Sequence, residues 1–345
     1  MEEILLPMKI VGAVGLLLGV GLSIASKTLR VFIDPKIARI QNILPGANCG
    51  ACGFPGCAAF AKAVAAGKAQ PAACIPGGEK ITANIADIIG VSAVTKEPMM
   101  AVVHCKGGKD AAKDRSVYNG IADCHAAALV GNGAKICPSG CLGLGSCVRA
   151  CPFGAIKINE KEIAVIDHEV CCGCGKCVRS CPRKIISLIP QVHKVYLACA
   201  NRDKGANVKK YCTVGCTACT LCVKATPSNT ITIEDNLPRL DYTTNEIFII
   251  AHAKCPVKCF VDLAKKRPRA NIDTKCTGCG ECAKICPIKD AVRGAEGERH
   301  QIDKNKCIGC GLCLNVCPPK AITLWGGLGY DSMEKQKRQR TTSTG

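Results

Sequence analysis

The chain opens with a run that is apolar on every face. Ile4 to Ala25 (ILLPMKIVGAVGLLLGVGLSIA) is 22 residues long and carries one charge, Lys9. As a helix it spans about 33 Å, enough to cross the hydrocarbon core of a bilayer. Glu2 and Glu3 precede it, and Lys27, Arg30, Lys36 and Arg39 follow. Basic residues behind the run place the N-terminus outside and the body of the protein on the cytoplasmic side of the inner membrane. A cleaved signal peptide needs a basic start, whereas this chain begins Met-Glu-Glu. Residues 1–26 therefore read as a single-pass anchor.

Behind the anchor, apolar positions come in short runs. MMAVVHC, ending at Cys105, precedes a lysine-rich stretch and then DCHAAALVG, which reads as a helix. VYLAC, ending at Cys199, opens a similar block that runs to residue 260. Two segments, AIKINEKEIAVID and TITIEDNLPRLDY, have the look of hairpins. These pieces form an internal repeat: VVHC before C137-P-S-G-C141 matches YLAC before C212-T-V-G-C216. The last stretch, YDSMEKQKRQRTTSTG, is polar and basic and reads as a disordered tail over 326–345.

Cysteine changes this picture most. The chain has 30 cysteines in 345 residues and only 3% aromatics. Most of the cysteines lie in C-x2-C-x2-C runs followed by C-P, which is iron–sulfur ligand spacing and implies a reducing compartment. Bound 4Fe-4S clusters then organise much of the fold, as metals do in other domains with small cores. In paired runs the first three cysteines surround one cube and the fourth reaches across to the other. The clearest pair gives one set of Cys276, Cys279, Cys282 and Cys317, and another of Cys307, Cys310, Cys313 and Cys286. A second pair gives Cys171, Cys174, Cys177 and Cys151. Its other run has Leu144 at the middle ligand position, so Cys137, just upstream, is expected to join Cys141, Cys147 and Cys181.

The third pair is half missing. Cys216, Cys219, Cys222 and Cys255 are present, but Thr226, Asn245, Phe248 and Ala251 stand where the other cube's four ligands belong. Random decay would remove ligands from both sites; here one whole site is gone. A separate group, Cys49, Cys52, Cys57 and Cys74 in LPGANCGACGFPGC…C, is expected to hold a single cube of another type. That makes six clusters and about 24 iron atoms per chain. Cys105, Cys124, Cys172, Cys199, Cys212 and Cys259 remain. They are either buried small hydrophobes or parts of a further metal site, with Cys212 or Cys259 contributing.

The formal charge of +19 would suggest nucleic acid. Each oxidised four-cysteine cube carries about −2, so six leave roughly +7. The basic residues then compensate clusters, and no nucleic-acid recognition motif accompanies them. Neither GxGxxG at a strand–helix turn nor a Walker A run is present, so no nucleotide or flavin site is visible.

An apolar anchor, LPGANCGACGFPGC and CLGLGSCVRACPFGAI followed by ferredoxin motifs together resemble the B subunit of the Rnf complex, over nearly the whole chain. The resemblance implies a polyferredoxin component of an ion-translocating (Na+ or H+) ferredoxin:NAD oxidoreductase, with no complete active site of its own. It implies soluble ferredoxin as electron donor, and membrane flavoprotein and NADH-binding subunits as partners. A membrane-tethered carrier serving another reductase without ion coupling is the alternative. The expected class is α+β. The expected parts are the anchor, a 4Fe-4S domain over 27–85, an α/β segment plus dicluster module over 98–190, a degenerate module over 191–260, a dicluster module over 270–325, and the tail.

Overall fold

The computed structural model describes residues 2–28, 34–93, 97–226, 229–244 and 248–325. Arg30, Asn245 and the tail 326–345 lie outside the described residues. The chain divides into two compact units, 1–95 and 96–345.

In the first unit α1 (Glu2–Thr28) is one unbroken helix. Its Met8–Thr28 stretch has a mean hydropathy of 2.0 and is not buried against the rest of the unit, so it is long and apolar enough to cross a membrane. After it, Asp34 caps α2 (Pro35–Ile43) by accepting the Lys36 N–H at 2.8 Å, and Pro35 occupies the first helical position. Next come α3 (Cys57–Ala65), two short 3-10 turns and α4 (Gly78–Ile89). Ile40, Phe60, Val64 and Ile85 form a small core, and Cys74 belongs to it. A core of this size contributes little stability by itself, so what the cysteines hold matters to the fold.

The second unit repeats one plan three times. The first module contains β1 (Met99–Val103), α5 (Cys124–Leu129), α6 (Ser146–Ala150), β2 (Ile156–Ile158), β3 (Ala164–Ile166), α7 (Lys176–Arg179) and β4 (Ile186–Pro190). The second contains β5 (Val195–Leu197), α8 (Gly205–Tyr211), α9 (Leu221–Ala225), β6 (Ile231–Glu234), β7 (Leu237–Leu240), α10 (Ile249–Lys254) and β8 (Phe260–Asp262). The third contains β9 (Arg269–Ile272), α11 (Glu281–Ile285), β10 (Val292–Arg293), β11 (Gln301–Ile302), α12 (Leu312–Asn315) and β12 (Ile322–Trp325).

In every module the first and last strands pair antiparallel: Met100 opposite Ile189, Tyr196 opposite Val261, Ala270 opposite Leu324. The two inner strands form a hairpin. Between them, two helices of one or two turns lie side by side. This is the α+β plan of a dicluster ferredoxin. The apolar runs MMAVVHC and VYLAC are therefore the outer strands of ferredoxin modules, because their alternate residues pack against the module's closing strand.

The second module keeps this plan where its cysteines are missing. Phe248, Ile249, Ile250 and Ala251 are all buried, in one core with Val195, Leu197, Ile231 and Phe260. The Phe248 ring lies edge-on to Tyr242 at 5.6 Å and beside His193 at 5.9 Å. Buried Thr226 turns its hydroxyl back to donate to the Cys222 carbonyl at 2.8 Å. Aromatic and aliphatic side chains fill this half of the module, and Phe248 accepts a left-handed φ of 52° to do so. Phe248→Ala is expected to cost the second module about 3–5 kcal/mol. Hydrogen exchange on the full chain should then rise across 195–262 and stay unchanged across 269–325.

Candidate metal centres

The loops that present cysteines share one backbone shape. In C171-C-G-C174-G-K-C177 both glycines are left-handed, Gly173 and Gly175, and Gly278/Gly280 and Gly309/Gly311 repeat this. A Cβ on Gly173 would collide with the Met99 carbonyl, and one on Gly309 with the Pro268 carbonyl. Only glycine lets the loop press against the incoming outer strand. In the second module Ala218 (φ 52°) and Thr220 (φ 63°) take the same conformation despite their side chains. The alternating left-handed residues turn the cysteines of a run inward, and the short helix that follows carries the third.

The fourth cysteine arrives from the neighbouring run. Cys286 lines one pocket together with Cys307, Cys310 and Cys313. Cys255 lines another with Cys216, Cys219 and Cys222, and Cys259 also borders it. Burial, reinforced by nearby Cys171, Cys174 and Cys151, pushes the Cys177 thiol up to about 11. Cys276, Cys282 and Cys317 meet in the core of the third module, and Cys276 and Cys279 act on the Cys282 thiol. In the first unit burial raises the Cys74 thiol to about 11, with Cys52, Cys57 and Cys49 adding to it while the Gly77 N–H opposes. Asn48 fixes that loop by accepting the Cys57 N–H at 2.8 Å. Such thiols give up their protons when a metal takes their place.

One placement differs from the sequence expectation. One pocket is lined by Cys141, Cys147 and Cys181, but its fourth cysteine is Cys124, not Cys137. Burial pushes the Cys147 thiol up to about 12, with Cys141, Cys124 and Cys181 reinforcing it. Asp123 explains how Cys124 gets there. Its carboxylate caps α5 through the N–H groups of His125 (2.8 Å) and Ala126 (3.1 Å). It also accepts from Ser146 Oγ (2.8 Å) and Arg149 (2.6 Å) on α6. Ser146 Oγ in turn accepts the Cys124 N–H at 2.8 Å. The inserted helix α5 is clamped to α6, and its first residue fills the place Leu144 left. Sequence spacing could not find Cys124, because the insertion closes on the module only in three dimensions. The signal available was a spare cysteine behind a helix-capping aspartate, in a module one ligand short.

Two other cysteines are explained by packing. Cys259 follows left-handed Lys258, as buried Ala155, Ile185 and Ala321 follow Gly154, Lys184 and Lys320. It occupies the apolar slot that every module has, although its sulfur lies 3.4 Å from that of Cys255. Cys172 lies beside Cys174 and hydrogen-bonds to it, which lowers the Cys174 thiol to about 6.

The donor sets suit 4Fe-4S clusters. Among the described residues no three His, Cys, Asp or Glu side chains converge on a point fit for a single ion. Three of the four-cysteine sets instead each line one pocket. A cube needs that arrangement, since its four irons each take one thiolate.

Family comparison agrees with this chemistry. An Fe-S cluster family matches residues 44–76, a 4Fe-4S binding domain 164–187, and a 4Fe-4S dicluster domain 270–324. The B subunit of the Na(+)-translocating ferredoxin:NAD(+) oxidoreductase complex of Acetobacterium woodii is 39% identical over 75% of this chain and 78% of its own. That of the ion-translocating oxidoreductase complex of Methanosarcina acetivorans is 34% identical over 81% and 94%. That of the proton-translocating ferredoxin:NAD(+) oxidoreductase complex of Clostridium ljungdahlii is 36% identical over 75% and 91%. With the anchor-length helix, three ferredoxin-type modules and this identity along most of its length, the chain belongs to the B-subunit family of the Rnf ion-translocating oxidoreductase complexes.

Proposed function

We propose that this chain is the membrane-anchored polyferredoxin of such a complex, taking electrons from reduced soluble ferredoxin and passing them to the membrane flavoprotein and NADH-binding subunits. The carrying observation is the crossed delivery of cysteines into cavities, Cys286 with Cys307, Cys310 and Cys313 being the fullest case. Each bound cluster supplies a one-electron carrier whose potential its surroundings tune. The chain's own part is to hold the thiolates, donate N–H groups to the sulfurs and keep water out. The assigned sets are Cys49/52/57/74, Cys124/141/147/181, Cys151/171/174/177, Cys216/219/222/255, Cys276/279/282/317 and Cys286/307/310/313. The helix α1 anchors the chain with its N-terminus outside, which keeps the ferredoxin modules on the cytoplasmic side.

Electrons enter at the C-terminal module. Cys279 is exposed, and Lys275, Lys289, Lys304 and Lys320 are exposed on the same module. Exposed lysines on a module with an accessible ligand steer an acidic carrier. Relatives of similar identity are named for sodium and for protons, so the coupling ion is set outside this likeness.

Reduced ferredoxin mixed with the anaerobic full-length chain in a stopped-flow cell should bleach its visible absorbance; an unchanged spectrum sinks the relay reading. Lys275→Glu with Lys304→Glu should slow that bleaching about tenfold at low ionic strength, and the difference should shrink near 0.5 M salt. Cys124→Ala should remove about four irons while Leu144→Ala removes none. Full iron in the Cys124 variant would return the fourth ligand to another residue.

A further inference from the structure

The six sets leave Cys105, Cys137, Cys199 and Cys212 without a role. All four line a single pocket. We propose that these four thiolates hold a seventh 4Fe-4S cluster, placed where the first and second modules meet.

The internal repeat builds the site symmetrically. Cys105 and Cys199 lie just past the ends of β1 and β5 and face each other as an antiparallel bridge pair. Cys137 and Cys212 come from the matching C-P-S-G-C and C-T-V-G-C turns. The segment around Ala112 runs between them: it bridges to Cys212, while the Lys113 carbonyl accepts the Ile136 N–H at 3.1 Å beside Cys137. Each repeat contributes one cysteine from a strand end and one from a turn. Two half-sites related by the repeat make one whole.

Hydrogen bonds to the sulfurs follow the same symmetry. Cys105 accepts the Cys141 N–H at 3.3 Å, and Cys199 accepts the Cys216 N–H at 3.3 Å. The N–H two residues on, from Gly107 and Asn201 respectively, reaches each of them as well. Cys137 accepts from the Ser139 N–H and, at 3.2 Å, from the Asn201 side-chain amide. Asn201 is buried and held by Tyr211, whose hydroxyl is anchored on Asp203. Neutral thiols are weak acceptors and need no such shell; cluster thiolates use it.

Lining separates the cluster from the simpler readings. Like the pockets of two assigned sets, this one is lined by four cysteines. Glycines line the wall: a Cβ on Gly107 would lie 3.2 Å from the Cys212 sulfur, and one on Gly215 would meet Val208. All four cysteines are free thiols, and they do not converge on a single-ion point.

Its position gives the cluster a task. Cys141, whose N–H binds the Cys105 sulfur, belongs to the Cys124/141/147/181 set. Cys216, whose N–H binds the Cys199 sulfur, belongs to the Cys216/219/222/255 set. The seventh cluster is one hydrogen bond from a ligand residue on each side. It takes one electron from one neighbour and gives one to the other, joining the first and second modules.

The inference rests on the relay reading for its purpose but not for its test. Anaerobically purified full-length protein should contain about 28 iron atoms and as many sulfides. Cys199→Ala should contain about four fewer, with the remaining clusters retained. Iron content unchanged in a folded Cys199→Ala protein overturns the proposal, whether or not ferredoxin reduces the chain. Should that variant not fold, native mass spectrometry of the wild-type chain decides: the mass of seven cubes supports the assignment, and six cubes, or six and one zinc ion, overturn it.

Discussion

A cube of iron and sulfide requires four thiolates that face one cavity from different sides, and most of this structure is a consequence of meeting that requirement. No run of consecutive residues can do it. The chain therefore turns three cysteines inward with left-handed residues on either side of the middle one. It then brings a fourth from the neighbouring run. Gly173 and Gly175 do this at no steric cost, and Ala218 and Thr220 do it against their preference. That the second module keeps the conformation without the glycines shows how strongly the ligand geometry governs the backbone.

Crossed delivery has a further effect. Because each run contributes to both cavities, a run cannot be displaced without opening both sites. It also makes the sites separable in the other direction. All four ligands of one cube can be replaced while the other four stay. In the second module Phe248, Ala251 and Thr226 are buried at positions where the motif would place ligands of a second cube. Cys255 survives because its partners are Cys216, Cys219 and Cys222.

Charge follows from the same requirement. Buried thiols such as Cys147 and Cys199 are pushed up to about 12 by desolvation, so they become thiolates only with a metal to share their charge. The formal surplus of +19 is what remains visible when the clusters' negative charge is left out of the sum. Lys275, Lys289, Lys304 and Lys320 of the C-terminal module face solvent.

The sequence by itself determined the anchor-length helix, the three ferredoxin modules and the family. Each of these is written in local spacing: a 22-residue apolar run, C-x2-C-x2-C, and a C-P that ends it. It also set the expectation of one site lost whole, by counting ligand positions backwards from Cys255. Tertiary structure alone decided the roles of cysteines outside the runs. Cys124 reaches its cavity through the Asp123–Ser146–Arg149 clamp, which joins an insertion to a helix 22 residues later. Cys137, expected beside Cys141, instead meets Cys105, Cys199 and Cys212, drawn together from two repeats. Spacing along a chain reports a contact only where the chain is short enough to fix it; across an insertion or between repeats, packing and hydrogen bonding choose the partner.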